Sequence, residues 1–432
     1  MAIINKYNQK SLLAYYFFML VVLLTWTNPN ALPPMPLRVL YLLMSIFPIL
    51  NKSKIYFPIA FCTLLTISMV RYAPSYMVST PLFVFIVLLF VTFFYKGKNE
   101  VKPPYHLLFL CIYIALVNLL TGFEFKDACL TFASVFLLSR YLGNSGEVKK
   151  LFITSFIVIS AVLSAEYLLV GKNFTDAYST SEIERMGWTD PNVFGCIIGI
   201  GIICGVISLL YKIYTSRSAK YIVVGAIVVA FMAFLLNASR GASLALFVVL
   251  IMLLISAPVA KSTKSLMFLL AIAFMFVMYS LGYFDNLIFR MTIENAETGG
   301  ERTIIWQTKT HAFFSEYGLF NHIFGLGDKD ACFLGYGYYL GFHSDYFAML
   351  VKYGYVGLAM LLYMICYPIK VASKNKVLVV LLVVYFSLCI FSLDLVNSGH
   401  ITFFYLYLFL LVLGQGDDLN SINNKQVCRY EG

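Results

Sequence analysis

Gly341-Phe342-His343-Ser344-Asp345-Tyr346 closes a polar stretch that begins near Asp285, and this stretch decides how the chain is read. It carries Arg290, Arg302, Trp306 and His311, passes Phe324-Gly325-Leu326-Gly327, and leads into an apolar run through Lys352, Gly354 and Gly357. Almost everything around it is compatible with hydrocarbon. A connection of about sixty residues between apolar runs is unusually long, and such loops are either functional or disordered. This one is rich in Trp, Tyr, Phe and Gly rather than Ser, Pro and Glu, which argues against disorder. The expectation is an active-site loop on a membrane enzyme.

Composition supports the membrane reading. The 432 residues are 61% hydrophobic and 12% charged, against roughly a quarter charged in an ordinary soluble domain. Runs long enough to span a bilayer recur along the whole chain. They are continuous rather than alternating, which excludes an outer-membrane barrel. The first residues are polar and carry Lys6 and Lys10, and the run after them reaches Trp26 without a small-residue cleavage site. That pattern predicts a retained first helix rather than a cleaved signal. The nine cysteines are scattered and show neither a disulfide framework nor metal-ligand spacing.

Apolar runs fall at 12–26, 37–50, 55–70, 81–95, 105–122, 128–142 and 151–170, then at 191–211, 221–236, 242–258, 266–283, 346–367, 377–393 and 401–413. The charges test that order independently. With the first segment inside and strict alternation, the inside segments hold 20 of the 31 lysines and arginines, the positive-inside pattern. Both termini then face the cytoplasm. The large loop 284–345, the smaller loop 171–190, the tight turn Asn237-Ala238-Ser239-Arg240-Gly241 and the short 394–400 segment face outward, and 414–432 is a cytoplasmic tail. No internal repeat or soluble domain is visible, so residues 1–432 read as one integral membrane domain. The expected fold is an all-α polytopic membrane protein of about 14 transmembrane helices (12–14) with one large outward-facing loop.

The outward face gathers Arg185, Arg240, Arg290, Arg302 and His343, with His311, Asp345 and His400 beside them. Arg240 is the sharpest case. Its turn is so short that the side chain must sit near the hydrocarbon boundary, where an unpaired cation is costly. Guanidinium forks match phosphate oxygens, so a pyrophosphate clamp is one reading. Snorkelling, or pairing with Glu166 or Asp394, is the other. An imidazole can take a proton from a sugar hydroxyl at neutral pH, which makes His343 a candidate base. It could equally be an interfacial residue ahead of a helix capped by Ser344 or Asp345. Asp190-Pro191-Asn192 reads as a helix start, Lys352 and Glu166 as structural partners inside apolar runs, and Gly354 and Gly357 as a site of close helix packing.

Taken together these pieces resemble the O-antigen polymerase/ligase superfamily of bacterial envelope enzymes. The resemblance rests on Asp190-Pro191-Asn192, on Asn237-Ala238-Ser239-Arg240-Gly241, and on Arg302-x-x-x-Trp306 followed by Phe324-Gly325-Leu326-Gly327. The fourth element is His343-Ser344, nine residues, Gly354, two residues, Gly357. It covers roughly residues 185–365. What it implies is a GT-C-like glycosyltransferase, without metal or other cofactor, in the bacterial inner membrane. Its donor would be a glycan on undecaprenyl pyrophosphate, used at the periplasmic face in lipopolysaccharide or related polysaccharide biosynthesis. His343 would be the base, with Arg240 and Arg302 against the leaving pyrophosphate. Arg185, Arg290, Asp190, Asn192, Asp345 and Trp306 would contact substrate. The implied partners are the lipid-linked oligosaccharide, membrane lipid, a chain-length regulator and a flippase, and no nucleic acid.

Within the family it resembles, a count of fourteen helices rather than about twelve points to the polymerase branch, whereas the His343–Gly354–Gly357 spacing looks like the ligase branch. A polymerase is the expectation and a ligase acting on lipid A–core the alternative. A lipid-linked glycan flippase is the competitor from another class. It should show internal repeats, broken helices and ionisable residues near the midplane.

Overall fold

A computed structural model of the chain describes residues 101–121, 126–139, 142–170, 191–292, 302–393, 396, 401–416 and 419. The apolar runs before residue 101 and the 171–190 loop lie outside these residues, as do most of 394–400 and most of the tail. Among the described residues all regular structure is helical.

Ten helices coincide with the ten apolar runs from residue 105 onward. They are α1 (Tyr105–Thr121), α2 (Lys126–Ser139), α3 (Gly146–Val170), α4 (Pro191–Leu210), α5 (Arg217–Asn237), α6 (Arg240–Ser256), α7 (Lys261–Ser280), α12 (Asp345–Val371), α13 (Lys376–Phe391) and α14 (Ile401–Gly414). Four more lie inside the large loop: α8 (Asp285–Thr292), α9 (Arg302–Glu316), α10 (Leu319–Phe324) and α11 (Asp328–Phe333). Segments Gly146–Leu169, Asn192–Leu210, Arg217–Asn237 and Asp345–Val371 are long and apolar enough to cross a membrane, and Arg240–Ser256, Lys264–Ser280 and Lys376–Phe391 are shorter apolar helices. The described residues are all-α and carry four helices long and apolar enough to cross a membrane, consistent with a membrane protein, and fourteen spans remain the expectation stated above.

Helix α4 is the hub. It is apolar on every side, as a helix surrounded by protein should be, and 89% of its span is buried. Its glycines let neighbours touch its backbone. A Cβ at Gly199 would stand 2.2 Å from the Tyr385 hydroxyl, and one at Gly201 would stand 2.1 Å from Cβ of Ser160. Helices α3, α5 and α6 pack around it, and α13 packs along α6.

Helix α12 is broken at Gly354, where φ is 64° and ψ −166°. A break leaves backbone carbonyls to be satisfied, and in an apolar interior each orphan is expensive. The loop supplies what is needed. Leu326 N–H donates to Val351 O at 3.1 Å and Gly327 N–H to Lys352 O at 2.9 Å. The Tyr113 hydroxyl of α1 donates to Tyr353 O at 2.8 Å. Two glycines make the crossing possible. A Cβ at Gly354 would lie 2.3 Å from Ile323 O, and one at Gly325 would lie 2.2 Å from Lys352 O. Close packing at Gly354 is therefore backbone against loop backbone, at a residue whose φ/ψ only glycine adopts cheaply.

Polar side chains seal the crossing. Lys352, 4% exposed, reaches the Asp328 carboxylate at 2.5 Å. Asp328 N–H donates to Asn118 Oδ1 at 3.0 Å, and the Asn118 amide donates to the Tyr353 hydroxyl at 3.3 Å and to Ile114 O at 3.0 Å. A buried charge needs such a partner, because losing one member leaves the other uncompensated. At the opposite end of the bundle, buried Lys149 donates to Leu413 O at 3.2 Å, a cation on the last turn of α14.

Gly354→Ala should cost about 3 kcal/mol or more, since strain at this backbone geometry and a backbone clash add. Gly225→Ala on α5, where a Cβ meets nothing within 4 Å, should be neutral or slightly stabilising. Thermal unfolding of the two purified variants in detergent checks this contrast.

Candidate functional site

The α5–α6 corner is two residues long, and its geometry follows from them. Ala238 ends α5 in the left-handed region, φ 49°, with its N–H on Leu235 O at 3.1 Å. Ser239 returns to extended backbone and serves as the residue ahead of α6. Left-handed backbone costs an alanine roughly 1–2 kcal/mol, and the sharp reversal it allows makes Arg240 the first residue of α6. The Ser239 hydroxyl donates to Asn192 Oδ1 at 2.8 Å, tying this corner to the start of α4.

Gly241 then brings α6 against the end of α13. A Cβ there would lie 2.1 Å from Ser392 Oγ and 2.8 Å from Ser392 Cβ. Ser392 is also the point reached by α9, because Arg302, first residue of that helix, donates from Nη1 to Ser392 O at 2.9 Å. One residue on, Leu393 O accepts the Asp345 N–H at 3.1 Å, which places the start of α12 there as well. The starts of α6, α9 and α12 thus meet at Ser392–Leu393, with α4 attached through Asn192. Helix N-termini carry partial positive charge and open N–H groups, while the ends of α5 and α13 contribute the opposite sign. Arg302 on the last turn of α13 is favourable in itself. Arg240 in the first turn of α6 runs against the dipole of its own helix, so helix stability does not account for it.

The segment entering α12 is held almost side chain by side chain. Phe342 is 1% exposed, and Ser344 and Asp345 are 0% exposed. Asp345 accepts from Val396 N–H at 2.9 Å. Between these anchors His343 is exposed, in left-handed backbone with φ 53°. Trp306, one turn along α9 from Arg302, donates its indole N–H to Phe342 O at 2.7 Å and stacks on Phe347 at 4.8 Å. Chemically, the place offers guanidinium groups, helix starts and one imidazole displayed on strained backbone.

Of the residues named from sequence, Asn192, Arg302, Trp306 and Asp345 make these contacts, and Arg240 and His343 sit beside residues that do. Arg185 and Asp190 lie outside the described residues, as does His400. Arg290 falls in α8, whose start follows the loop after α7, and its side chain is not among those described. His311 is exposed on α9 and lines an open groove of about 770 Å³ with Trp306, Gln307 and Phe347. Trp306 donates to the Phe342 carbonyl and Asp345 accepts from the Val396 N–H, bonds that brace the segment carrying His343. Sequence reasoning quoted Ser239 only as part of the Asn237–Gly241 turn, without its bond to Asn192, and missed Ser392 and Leu393. The last two act chiefly through backbone carbonyls, which no side-chain motif announces. Lys309 was also missed. Its Nζ donates to Ala331 O at 3.0 Å and Cys332 O at 2.7 Å, and it is 0% exposed.

A family model described as O-antigen ligase matches residues 225–362. The span includes the Ala238–Arg240 corner, Arg302 and Trp306, the Gly325–Gly327 crossing, and His343 through Gly357. The resemblance to the O-antigen polymerase/ligase superfamily holds across it. No curated protein matches the chain.

Gly241→Ala should lower activity at least about tenfold by pushing Ser392 and the starts of α6 and α9 apart, a shift of under 1 Å being enough for such a loss. Adding Ser392→Gly should restore most of it. An activity assay on the single and double variants checks the pair.

Proposed function

We propose that this protein is an O-antigen or related surface-polysaccharide polymerase. It moves a glycan chain from undecaprenyl pyrophosphate onto a lipid-linked repeat unit at the periplasmic face of the inner membrane. The observation that carries the reading is the meeting of the start of α6, which bears Arg240, with Arg302 and the segment that displays His343 around Ser392–Leu393.

In this reaction the acceptor hydroxyl oxygen forms a bond to the anomeric carbon of the donor glycan, and the bond from that carbon to the pyrophosphate oxygen breaks. His343 takes the hydroxyl proton. The electron pair of the broken bond stays on the pyrophosphate, and Arg240 and Arg302 stabilise it from fixed positions. Arg185 and Arg290 are further candidates for the same leaving group. Asn192 orients the Arg240 corner through Ser239, while Trp306 and Asp345 fix the histidine segment. Pyrophosphate is a good leaving group, so orientation and charge stabilisation supply most of the acceleration.

Two observations favour other readings. The matched family is described as a ligase, and a ligase would use the same donor chemistry with lipid A–core as acceptor. The broken α12 with Lys352 beside it is a feature of transporters. With the loop outward, the break lies about 13 Å along α12, well into the hydrocarbon. There, however, Lys352 is matched by Asp328 and the carbonyls of Val351, Lys352 and Tyr353 by loop and α1 donors. Such closure holds a loop down and leaves nothing for a cargo to replace.

His343→Ala should lower polymer synthesis by roughly a hundredfold to ten-thousandfold, and Arg240→Ala by roughly a hundredfold to a thousandfold, with the protein still inserted. Normal polysaccharide from either variant would remove that residue from the mechanism. Deleting the gene and resolving the surface polysaccharide by gel separates the branches. Core bearing a single repeat is the expected outcome. Bare core with lipid-linked polymer accumulating would mean ligase, and an unchanged profile would mean neither.

A further inference from the structure

Phe342 is the last fixed residue before His343, and α9 grips it twice. The Trp306 indole donates to its carbonyl at 2.7 Å. The Lys309 ammonium stands 4.7 Å from the centroid of its ring. Trp306 and Lys309 are three residues apart and so share a face of α9. Lys309 cannot wander, because its Nζ donates to Ala331 O and Cys332 O, the last turn of α11. Leu340 N–H donates to the same Cys332 carbonyl at 3.1 Å, which ties the approach to Phe342 to α11 as well. Filling the space would need only a methionine or leucine. A buried ammonium is a costly choice for mere filling, but it suits a cation resting on an aromatic face and on carbonyls at a helix end.

We propose that Lys309 is a positioning residue for His343, clamping the Phe342 ring so that the adjoining left-handed backbone displays the imidazole at a fixed place. The inference rests on the reading of His343 as the base. It gives a role to a buried charge that neither the pyrophosphate clamp nor the helix break uses.

The protonation of Lys309 makes the role measurable. The groups facing it are Cys332 on α11, the Tyr336 ring at 5.8 Å and Lys352 on α12, itself held by Asp328. Burial is the largest influence and lowers the Lys309 pKa to about 8, with Cys332 opposing and Lys352 adding to the fall. The ammonium, and with it the grip on Phe342, is present below that pH and lost as pH rises through it.

The test uses full-length protein in detergent with the lipid-linked repeat unit extracted from the deletion strain, and measures kcat and KM from pH 6 to 10. Lys309→Met should lower kcat by about tenfold to a hundredfold, as a misplaced catalytic group does, with KM within about twofold. Wild-type kcat should fall above about pH 8. In Lys309→Arg, whose guanidinium keeps its proton throughout this range, activity should return to within about fivefold of wild type and the alkaline fall should disappear.

Wild-type kcat in Lys309→Met, with His343→Ala inactive, would overturn the proposal and leave the base assignment standing. An active His343→Ala would overturn the base assignment and the proposal with it. If Lys309→Met does not accumulate, the arginine variant decides, and an alkaline limb unmoved from wild type would overturn the proposal.

Discussion

The structure depends on a helix that stops at Gly354 and resumes. In lipid, or in a core as dry as lipid, backbone carbonyls at a break must find donors within the protein. Here the donors come from two places remote in sequence. Leu326 and Gly327 belong to the loop, and Tyr113 belongs to α1. The break therefore fastens the loop to the bundle. From that fastening follow the places of α10 and α11, the burial of Asp328 beside Lys352, and the approach of residues 340–343 to α9. A continuous α12 would present no carbonyls to the loop and would leave the Leu326 and Gly327 N–H groups without acceptors.

The second constraint is the crowding at Ser392–Leu393. Three helices, α6, α9 and α12, start in distant parts of the chain and need a common reference, and two adjacent carbonyls with one small side chain serve as it, with α4 joined through Asn192 and Ser239. Strain accumulates on both sides of this point, at Ala238 and at His343, the residues in left-handed backbone nearest Arg240 and the exposed imidazole. Left-handed backbone persists only where the surroundings over-determine it. Here they do: Ser239 is held by Asn192, and His343 stands between the buried Phe342 and Ser344.

The long apolar helices were legible in the sequence, because an apolar run bounded by charge has few alternatives once it approaches twenty residues. From α1 to α14 each such run is a helix within a few residues of its expected limits. The four helices inside the loop were not legible. Three of them, α8, α10 and α11, have only six to eight residues, and α9 mixes polar and apolar residues instead of forming an apolar run; tertiary bonds such as Lys309 on the end of α11 and Asp328 on Asn118 hold them in place. Gly354 was read as a packing residue, since a glycine in an apolar run looks the same whether a neighbour leans on it or the helix breaks there. The arginines, Asn192 and His343 stood out because their residue types are conspicuous near apolar boundaries. Ser392, Leu393 and Ser239 did not, because a carbonyl has no sequence signature and small hydroxyl residues are common at turns.

The direction of the chain bears on how the break can form at all. Tyr113, Asn118, Leu326, Gly327 and Asp328 all precede Gly354 in the sequence. A chain made from its N-terminus has these partners in existence before the two halves of α12 emerge. Each half can be captured as it is synthesised, with a carboxylate waiting for Lys352 and donors waiting for the carbonyls. The same residues in reverse order would oblige a charged, interrupted helix to wait in the bilayer for its partners. Vectorial synthesis makes the interruption a late docking step instead of an early liability.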